Sequence, residues 1–238
     1  GVYSSEWFWS KVLRCRRVAP AVFKAAASWV ELADFVPAYI TGNTAPRDIV
    51  RSVCAAGHKA MYNSGWGGLP SADFLGRLDR GLADLRGRLY EKAYPSSRSA
   101  GGLTPEVARE VGLRAGTPVA VGAFGAHHGA VGAGVRPGVL VKIIGTSTCD
   151  VTVWPMDEPL ADIPGLCGIV PGSVTPEDYG LEAGQSAVGD IFNWMASKLT
   201  PAGYTARGDV HANLTAEAAA LRPGDRKSTR LNSSHRIR

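Results

Sequence analysis

The sequence lacks several patterns that would assign it to a class at once. No apolar run reaches the roughly 18 residues that a transmembrane helix needs, the opening residues have no signal-peptide layout, and no internal repeat is visible. The four cysteines, Cys15, Cys54, Cys149 and Cys167, form no CxxC pair and no cysteine–histidine spacing typical of zinc. These absences exclude a membrane span and a cysteine-based metal site, and they predict a cytoplasmic protein with reduced thiols.

Net positive charge is also small over most of the chain, although the total is +5. Residues 225–238, "DRKSTRLNSSHRIR", carry five cations against one acid, so residues 1–224 are nearly neutral. A nearly neutral body argues against nucleic acid as a partner. Residues 225–238 have no apolar periodicity and resemble the translated read-through of a sequencing adapter, so we interpret them as a non-native tail. A genuine basic tail that binds phosphate backbones is the alternative.

The first hundred residues are predicted to be mainly helical. "EWFWSKVLRCRR" is one helix, and "PAVFKAAASWVELADFVPAYITG" keeps helical spacing until Pro37 disturbs it and Gly42 ends it. Ser71 is the expected N-cap of a helix in "PSADFLGRLDRGLADLRGRLY". In "LTPEVAREVGL", Thr104 is the expected N-cap, a proline follows at the first helical position, and Gly112 ends the helix.

After residue 116 the pattern changes to short strands rich in valine and isoleucine. The segments "TPVAVGAF", "GVLVKIIG", "TSTCDVTVW" and "LCGIV" are the predicted strands, and "GQSAVGDIFNWMASKLT" is a predicted amphipathic helix that ends before Pro201. Strands mixed with helices predict an α/β fold. The composition shifts at "VRPG", residues 135–138, which favours a boundary between domains 1–137 and 138–224.

The stretch "LVKIIGTSTCDVTV", residues 140–153, is the most informative candidate for a binding site. An apolar strand enters a Gly-Thr-Ser-Thr turn and a second strand leaves it, so backbone N–H groups and hydroxyls could meet phosphate oxygens there. The chain has no GxxxxGK[ST], so this is no Walker motif. A polar hairpin turn without a ligand is the alternative interpretation.

Four ordered blocks resemble the FGGY family of carbohydrate kinases, and most closely its members that phosphorylate ribulose. They are "VRSVCAAGHKAMYNSGWGGLP", "VAVGAFGAHHGAVGAG", the Gly-Thr-Ser-Thr turn and "YGLEAGQSAVGDIFNWM", with "YSSEWFWSKVL" and "ITGNTAP" in support. The resemblance implies two actin-like (ribonuclease H-like) α/β domains, both incomplete in this chain. It implies that a first phosphate-binding hairpin precedes residue 1 and that an adenosine-binding segment follows residue 224.

The resemblance also implies the ligands and the residues that hold them. ATP with Mg²⁺ and a small pentulose would be the substrates, in pentose (arabinose) catabolism. By this resemblance Lys59 and Glu182 look like sugar-binding residues, and their types suit that role, because a polyol needs an ammonium donor and a carboxylate acceptor. A solvated lysine and a carboxylate at a helix start are the alternatives. The resemblance implies that four residues bind the phosphates of the nucleotide: Gly145, Thr146, Ser147 and Thr148.

Gly125 departs from the family pattern. In "GAFGAHHGAVGAG" the family has an aspartate at this position, at a helix start, which takes the proton from the attacking sugar hydroxyl. Its loss should lower turnover about 100- to 10,000-fold, whereas glycine as the N-cap in its place would cost only a few tenths of a kcal/mol in stability. His127 and His128 are adjacent, so on a helix they point about 100° apart and cannot act as a pair; no metal site is predicted.

Three interpretations of the function follow. The first is a kinase acting on ribulose, impaired in this copy by truncation and by Gly125. The second is a catalytically inactive homologue that binds sugar or nucleotide, and the third is another pentulose kinase of the family, such as one acting on xylulose. Membrane and nucleic-acid partners are not expected, and association with copies of itself is left open.

Overall fold

The computed structural model of this protein describes residues 3–206 and 208–222. Its described residues divide into two compact units: residues 3–144 with 148–185, and residues 145–147 with 186–206 and 208–222. The tail predicted at residues 225–238 lies outside the described residues. Within the described ranges, no helix is both long and apolar enough to cross a membrane. The domain boundary at residues 135–138 stays a prediction.

Eight helices and one 3₁₀ turn belong to the first unit as described. The helices are α1 (Phe8–Val18), α2 (Pro20–Ala25), α3 (Leu32–Thr41), α4 (Val53–Ala60), α5 (Ala72–Leu78), α6 (Arg80–Arg86), α7 (Pro105–Val111) and α8 (Gly125–Gly132), and the 3₁₀ turn is Ser64–Trp66. A helical core forms where α1, α4, α5 and α6 meet, with Trp9, Val12, Leu75, Leu82 and Leu85 fully or almost fully buried.

The predicted caps are confirmed. The Ser71 hydroxyl accepts a hydrogen bond from a first-turn N–H of α5 at 3.2 Å, and the Thr104 hydroxyl does the same for α7 at 3.3 Å. Gly112 ends α7 with φ +71°, and Gly42 ends α3 with φ +77°. Both glycines therefore adopt the left-handed conformation that terminates helices.

The single long helix predicted over residues 20–42 is wrong. Helix α2 ends at Ala25, Ala26 is extended, and α3 begins only at Leu32. The break lets the Trp29 ring lie 6.1 Å from that of Phe23, while the Trp29 carbonyl accepts a hydrogen bond from the buried Arg51 at 3.1 Å. These tertiary contacts outweigh the helical spacing of the segment.

The strands form two antiparallel sheets. β1 (Ser99–Gly102) pairs with β2 (Pro118–Ala120), and β3 (Val141–Ile144), β4 (Thr148–Pro155), β5 (Gly168–Pro171) and β6 (Asp178–Gln185) form a four-stranded sheet in the order β3-β4-β6-β5. Helix α8 packs against β3 and β4 through the buried Ala130, and Val141, Val151 and Val153 complete that core. The four predicted strands are confirmed, and β1 and β6 are additional strands.

The described part of the second unit is mostly helical: α9 (Val188–Trp194), a π-helical turn (Met195–Leu199), α10 (Ala202–Thr205) and α11 (Val210–Ala219). The helix predicted from residue 184 to residue 200 therefore starts later, because residues up to Gln185 belong to β6. The N–H of Gly189 at the start of α9 donates to the carbonyls of Gly145 and Thr146, at 3.2 and 3.0 Å. This contact ties α9 to the Gly-Thr-Ser-Thr turn within the second unit.

Candidate active site

Helix α4 carries His58 and the predicted sugar-binding residue Lys59. The helix begins after Ser52, whose hydroxyl accepts a hydrogen bond from a first-turn N–H at 3.3 Å. At the other end, the indole N–H of Trp9 donates to the Ala60 carbonyl at 2.9 Å. Both ends of α4 therefore have partners, which fixes the helix in place.

Two glycines bring α4 against β5. A Cβ on Gly57 would lie 2.2 Å from a methyl group of Val170, and a Cβ on Gly168 would lie 2.7 Å from Nδ1 of His58. Only glycine permits this approach. Because Gly168 is the register partner of Glu182 on β6, the packing brings His58 to the second predicted sugar-binding residue.

Glu182 lies within β6 and its side chain is almost completely buried. Its Oε2 lies 3.2 Å from Nδ1 of His58 and 3.5 Å from Nε2 of His127, and the thiol of Cys149 donates to its Oε1 at 3.8 Å. The alternative of a carboxylate at a helix start is therefore wrong, because Glu182 is paired on both sides in the sheet.

The two histidines lie against one another and are buried. Their ring centroids are 4.6 Å apart. Burial, followed by the charge of Lys59, lowers the pKa of His127 to about 4. Burial, followed by His127 and Lys59, holds the pKa of His58 well below its usual range. Both rings are therefore neutral near pH 7.

Lys59 has an aromatic environment. Its Nζ lies 5.2 Å from the ring centroid of Trp7 and 5.2 Å from that of Phe124, and the side chain is half-buried. Within the described chain, no carboxylate lies within ion-pair distance of it. Aromatic faces attract the ammonium group without consuming its N–H donors, so those donors remain available to a ligand.

A cavity of about 360 Å³ adjoins His58. Its walls include Trp7 and Tyr62, together with Asp162 and Cys167. Cavities that bind small molecules commonly begin near this size and combine apolar walls with a few polar groups. A small polar ligand therefore fits beside α4.

Gly125 is the first residue of α8 and is exposed. The expectation that position 125 is the N-cap is wrong, because the N-cap is Phe124 and helical geometry has already begun at Gly125. A Cβ on Gly125 would meet none of the described atoms within 4 Å. His127 is buried, whereas His128 is exposed and lies 3.4 Å from the Ser96 hydroxyl.

The predicted phosphate-binding turn is exposed at Gly145, Thr146 and Ser147, whereas Thr148 is buried as the first residue of β4. The Gly145 N–H donates to the Ser147 carbonyl at 2.8 Å, and the Ser147 hydroxyl accepts from the Ala187 N–H at 3.4 Å. The three exposed residues belong to the second unit.

Sequence reasoning missed the contact of His58 and His127 with Glu182. The adjacency of His127 and His128 argues against a metal site, and nothing in the sequence around His58 points to a partner for it. No spacing rule could have found the group, because its members come from α4, α8 and β6. The glycine in "AAGHKAMY" was a local signal that this helix approaches another element closely.

Comparison with known proteins supplies the context for this site. Residues 140–227 match the model of the C-terminal domain of the FGGY family of carbohydrate kinases. The ribulokinase of Vibrio parahaemolyticus is 44% identical over 223 residues, which cover 92% of this chain and 39% of that protein. The ribulokinase of Shouchella clausii is 39% identical over 232 residues, covering 94% of this chain and 40% of the relative.

Two solved structures resemble the fold. The xylulose kinase of Rhodospirillum rubrum has a TM-score of 0.69 at 26% identity, covering 93% of this chain and 42% of that one. The gluconate kinase of Lactobacillus acidophilus has a TM-score of 0.65, covering 90% of this chain and 40% of that one. Because it is only 18% identical, this likeness bears on the fold alone. The chain spans about 40% of the length of the two ribulokinases it matches.

Proposed function

Because this chain belongs to the FGGY family of carbohydrate kinases and shares its actin-like α/β fold, we propose that it is part of a ribulokinase. The reaction is transfer of the γ-phosphoryl group of ATP to the terminal hydroxyl of ribulose, in arabinose catabolism. The observation that carries the proposal is 44% identity to a ribulokinase over nearly the whole chain.

Lys59 and Glu182 are proposed to hold the sugar. The ammonium group of Lys59 keeps its donors free between two rings, and the buried carboxylate of Glu182 offers acceptor lone pairs. A five-carbon ketose has hydroxyls that match both groups. A cavity of about 360 Å³ is large enough for such a molecule; it is lined by His58, which precedes Lys59 in sequence, and by Gly168, the register partner of Glu182.

The turn of Gly145, Thr146 and Ser147 is proposed to meet the phosphates of ATP, together with Thr148, the next residue in sequence. The exposed hydroxyls of Thr146 and Ser147 are donors that suit phosphoryl oxygens. The turn has no carboxylate, so Mg²⁺ would be held at this turn through the phosphates of ATP. Mg²⁺ supplies charge neutralisation during phosphoryl transfer.

Gly125 leaves the family's base position without a carboxylate. The proton of the attacking hydroxyl then has no acceptor at this position, although phosphoryl transfer depends mostly on positioning and charge stabilisation. We expect turnover to be about 100- to 10,000-fold lower than in a kinase with aspartate at position 125. The same observation favours a second candidate function, a homologue that binds sugar or nucleotide without transfer.

A third candidate is a kinase for xylulose, favoured by the likeness to the Rhodospirillum rubrum xylulose kinase. Whichever pentulose is used, we propose a cytoplasmic location, because all four cysteines lie in the described residues and are free, as expected in a reducing compartment. Assembly with further copies of the chain is left to measurement.

A chimera tests the function. Residues 3–222 replace the matching segment of the Vibrio parahaemolyticus ribulokinase, and ADP release is followed with ribulose, xylulose and no sugar. We expect release that depends on ribulose, with kcat/KM falling roughly 10- to 100-fold in Glu182→Gln, which removes a charged hydrogen-bond acceptor. Faster release with xylulose would favour the third candidate, and sugar binding without release the second.

A further inference from the structure

Three buried side chains converge on one point in the first unit. Nδ1 of His58 and Nε2 of His127 lie 3.2 and 3.5 Å from the same oxygen, Oε2 of Glu182. One ligand atom from each residue lies within 4.8 Å of the others. More than nine-tenths of each side chain is buried, since their exposed fractions are 1%, 2% and 8%.

The two hydrogen bonds of the Ser173 hydroxyl indicate which nitrogen of His58 carries the proton. The Ser173 hydroxyl donates to the Val170 carbonyl at 3.0 Å, so its oxygen accepts from Nε2–H of His58 at 3.1 Å. In the neutral ring, Nδ1 then carries a lone pair. That lone pair is next to Oε2 of Glu182, which is also an acceptor.

Four polar atoms of this group lack hydrogen-bond partners among the described residues. Nδ1 of His58, Oε2 of Glu182 and both ring nitrogens of His127 are buried and unpaired there. Two acceptors in contact away from water repel one another, and unpaired buried polar atoms are costly. A cation bound between them would satisfy Nδ1 of His58, Nε2 of His127 and Oε2 of Glu182 at once.

We propose that His58, His127 and Glu182 form a binding site for a divalent transition-metal ion of the zinc class. Zinc bound at about 2.0–2.1 Å to imidazole and carboxylate ligands places neighbouring ligand atoms about 3.3 Å apart in a tetrahedron. The two separations at Glu182 bracket that value. Ser173 orients His58 from its far side, as outer partners of metal-binding histidines do.

The site adjoins a cavity. His58 lines the cavity of about 360 Å³, and three protein ligands leave a fourth position for water or another small molecule. If Glu182 also binds the sugar, which rests on the proposed function, bound metal would compete with ribulose. The metal site itself does not depend on the kinase proposal.

Metal binding tests the proposal directly. The chimera described above, stripped of metal with a chelator and freed of any affinity tag, is titrated with Zn²⁺ against a chromophoric chelator and, separately, with Mg²⁺. We expect one Zn²⁺ per chain and no comparable binding of Mg²⁺. His127→Gln should weaken Zn²⁺ binding at least 10-fold, whereas His128→Gln, at the exposed neighbouring position, should not change it. Ser173→Ala should weaken it about 10- to 100-fold.

Spectroscopy keeps the test decisive if a variant misfolds. X-ray absorption of the zinc-loaded protein should show nitrogen and oxygen ligands only, since Cys149 contacts Glu182 through the other carboxylate oxygen. Failure of the folded parent chimera to bind Zn²⁺, a sulfur ligand, or equal losses in His127→Gln and His128→Gln would overturn the proposal. In those cases a shared proton or a water molecule occupies the point. Ribulose-dependent ADP release in the same preparation would show independently that the proposed function holds.

Discussion

Restoring aspartate at position 125 is the sharpest test of the mechanism. Gly125 is exposed at the first position of α8, and a Cβ there would meet none of the described atoms within 4 Å. The new side chain therefore needs no repacking. A carboxylate in the first turn of a helix also interacts favourably with the helix dipole, by about 0.3–1 kcal/mol. Gly125→Asp should consequently preserve or slightly raise stability.

The expected gain in rate follows from general-base catalysis. A positioned base contributes about 100- to 10,000-fold, which corresponds to about 2.7–5.4 kcal/mol in the activation free energy. The assay is ribulose-dependent ADP release by the chimera, with and without Gly125→Asp, at saturating ATP and ribulose. The effect should appear in kcat, because the aspartate acts on the proton that moves in the transition state.

Gly132→Asp is the matched control. Gly132 is the last residue of the same helix, is exposed, and likewise has open space at its Cβ among the described atoms. Its replacement adds the same charge at the other end of α8, so turnover should not change. Equal turnover of Gly125→Asp and the parent, in folded proteins that bind ribulose, would refute the assignment of position 125 as the base.

The remaining predictions concern stability, measured by urea unfolding. Gly57→Ala should cost about 1–3 kcal/mol, because its Cβ would lie 2.2 Å from Val170; Gly76→Ala, whose nearest contact is an ordinary 3.6 Å, should instead stabilise by about 0.5–1 kcal/mol. Thr104→Ala should cost about 0.5–2 kcal/mol through loss of the α7 cap, whereas Thr104→Ser keeps the hydroxyl and should cost less; equal costs would count against the cap. Burial raises the pKa of Asp34 to about 7, from a value near 4 in the unfolded chain. The contribution of this group to the free energy of unfolding is therefore fully present below about pH 4 and is lost as the pH rises through about 7. The free energy of unfolding should fall by up to about 1.4 kcal/mol per pH unit in that window, and Asp34→Asn should remove this dependence.

Local signals allowed the helix ends to be predicted. Ser71 and Thr104 each bond to an N–H three residues away, and Gly112 ends its helix by its own backbone conformation. Such features depend on neighbours in sequence, which is why residue types alone identify them. The strands around the Gly-Thr-Ser-Thr turn were also predictable, because valine and isoleucine cluster there.

Features that depend on distant partners were not predictable. The break after Ala25 forms because Trp29 contacts Phe23 and Arg51, and no pattern within the segment encodes those contacts. Strand β6 contains two glycines and Glu182, a composition that does not favour a strand, and exists through pairing with β4 and β5. The role of the residues proposed for the sugar and the nucleotide stays a prediction.

The position of His58, His127 and Glu182 on three separate elements has a consequence for folding kinetics. Their contacts join residues far apart in the chain, so forming them requires closing long loops before any of the contacts is gained. We expect this cluster to assemble only once β6 has paired with β4 and β5, since that pairing places Glu182. A probe of the histidine rings would then report a step that follows the pairing of the sheet.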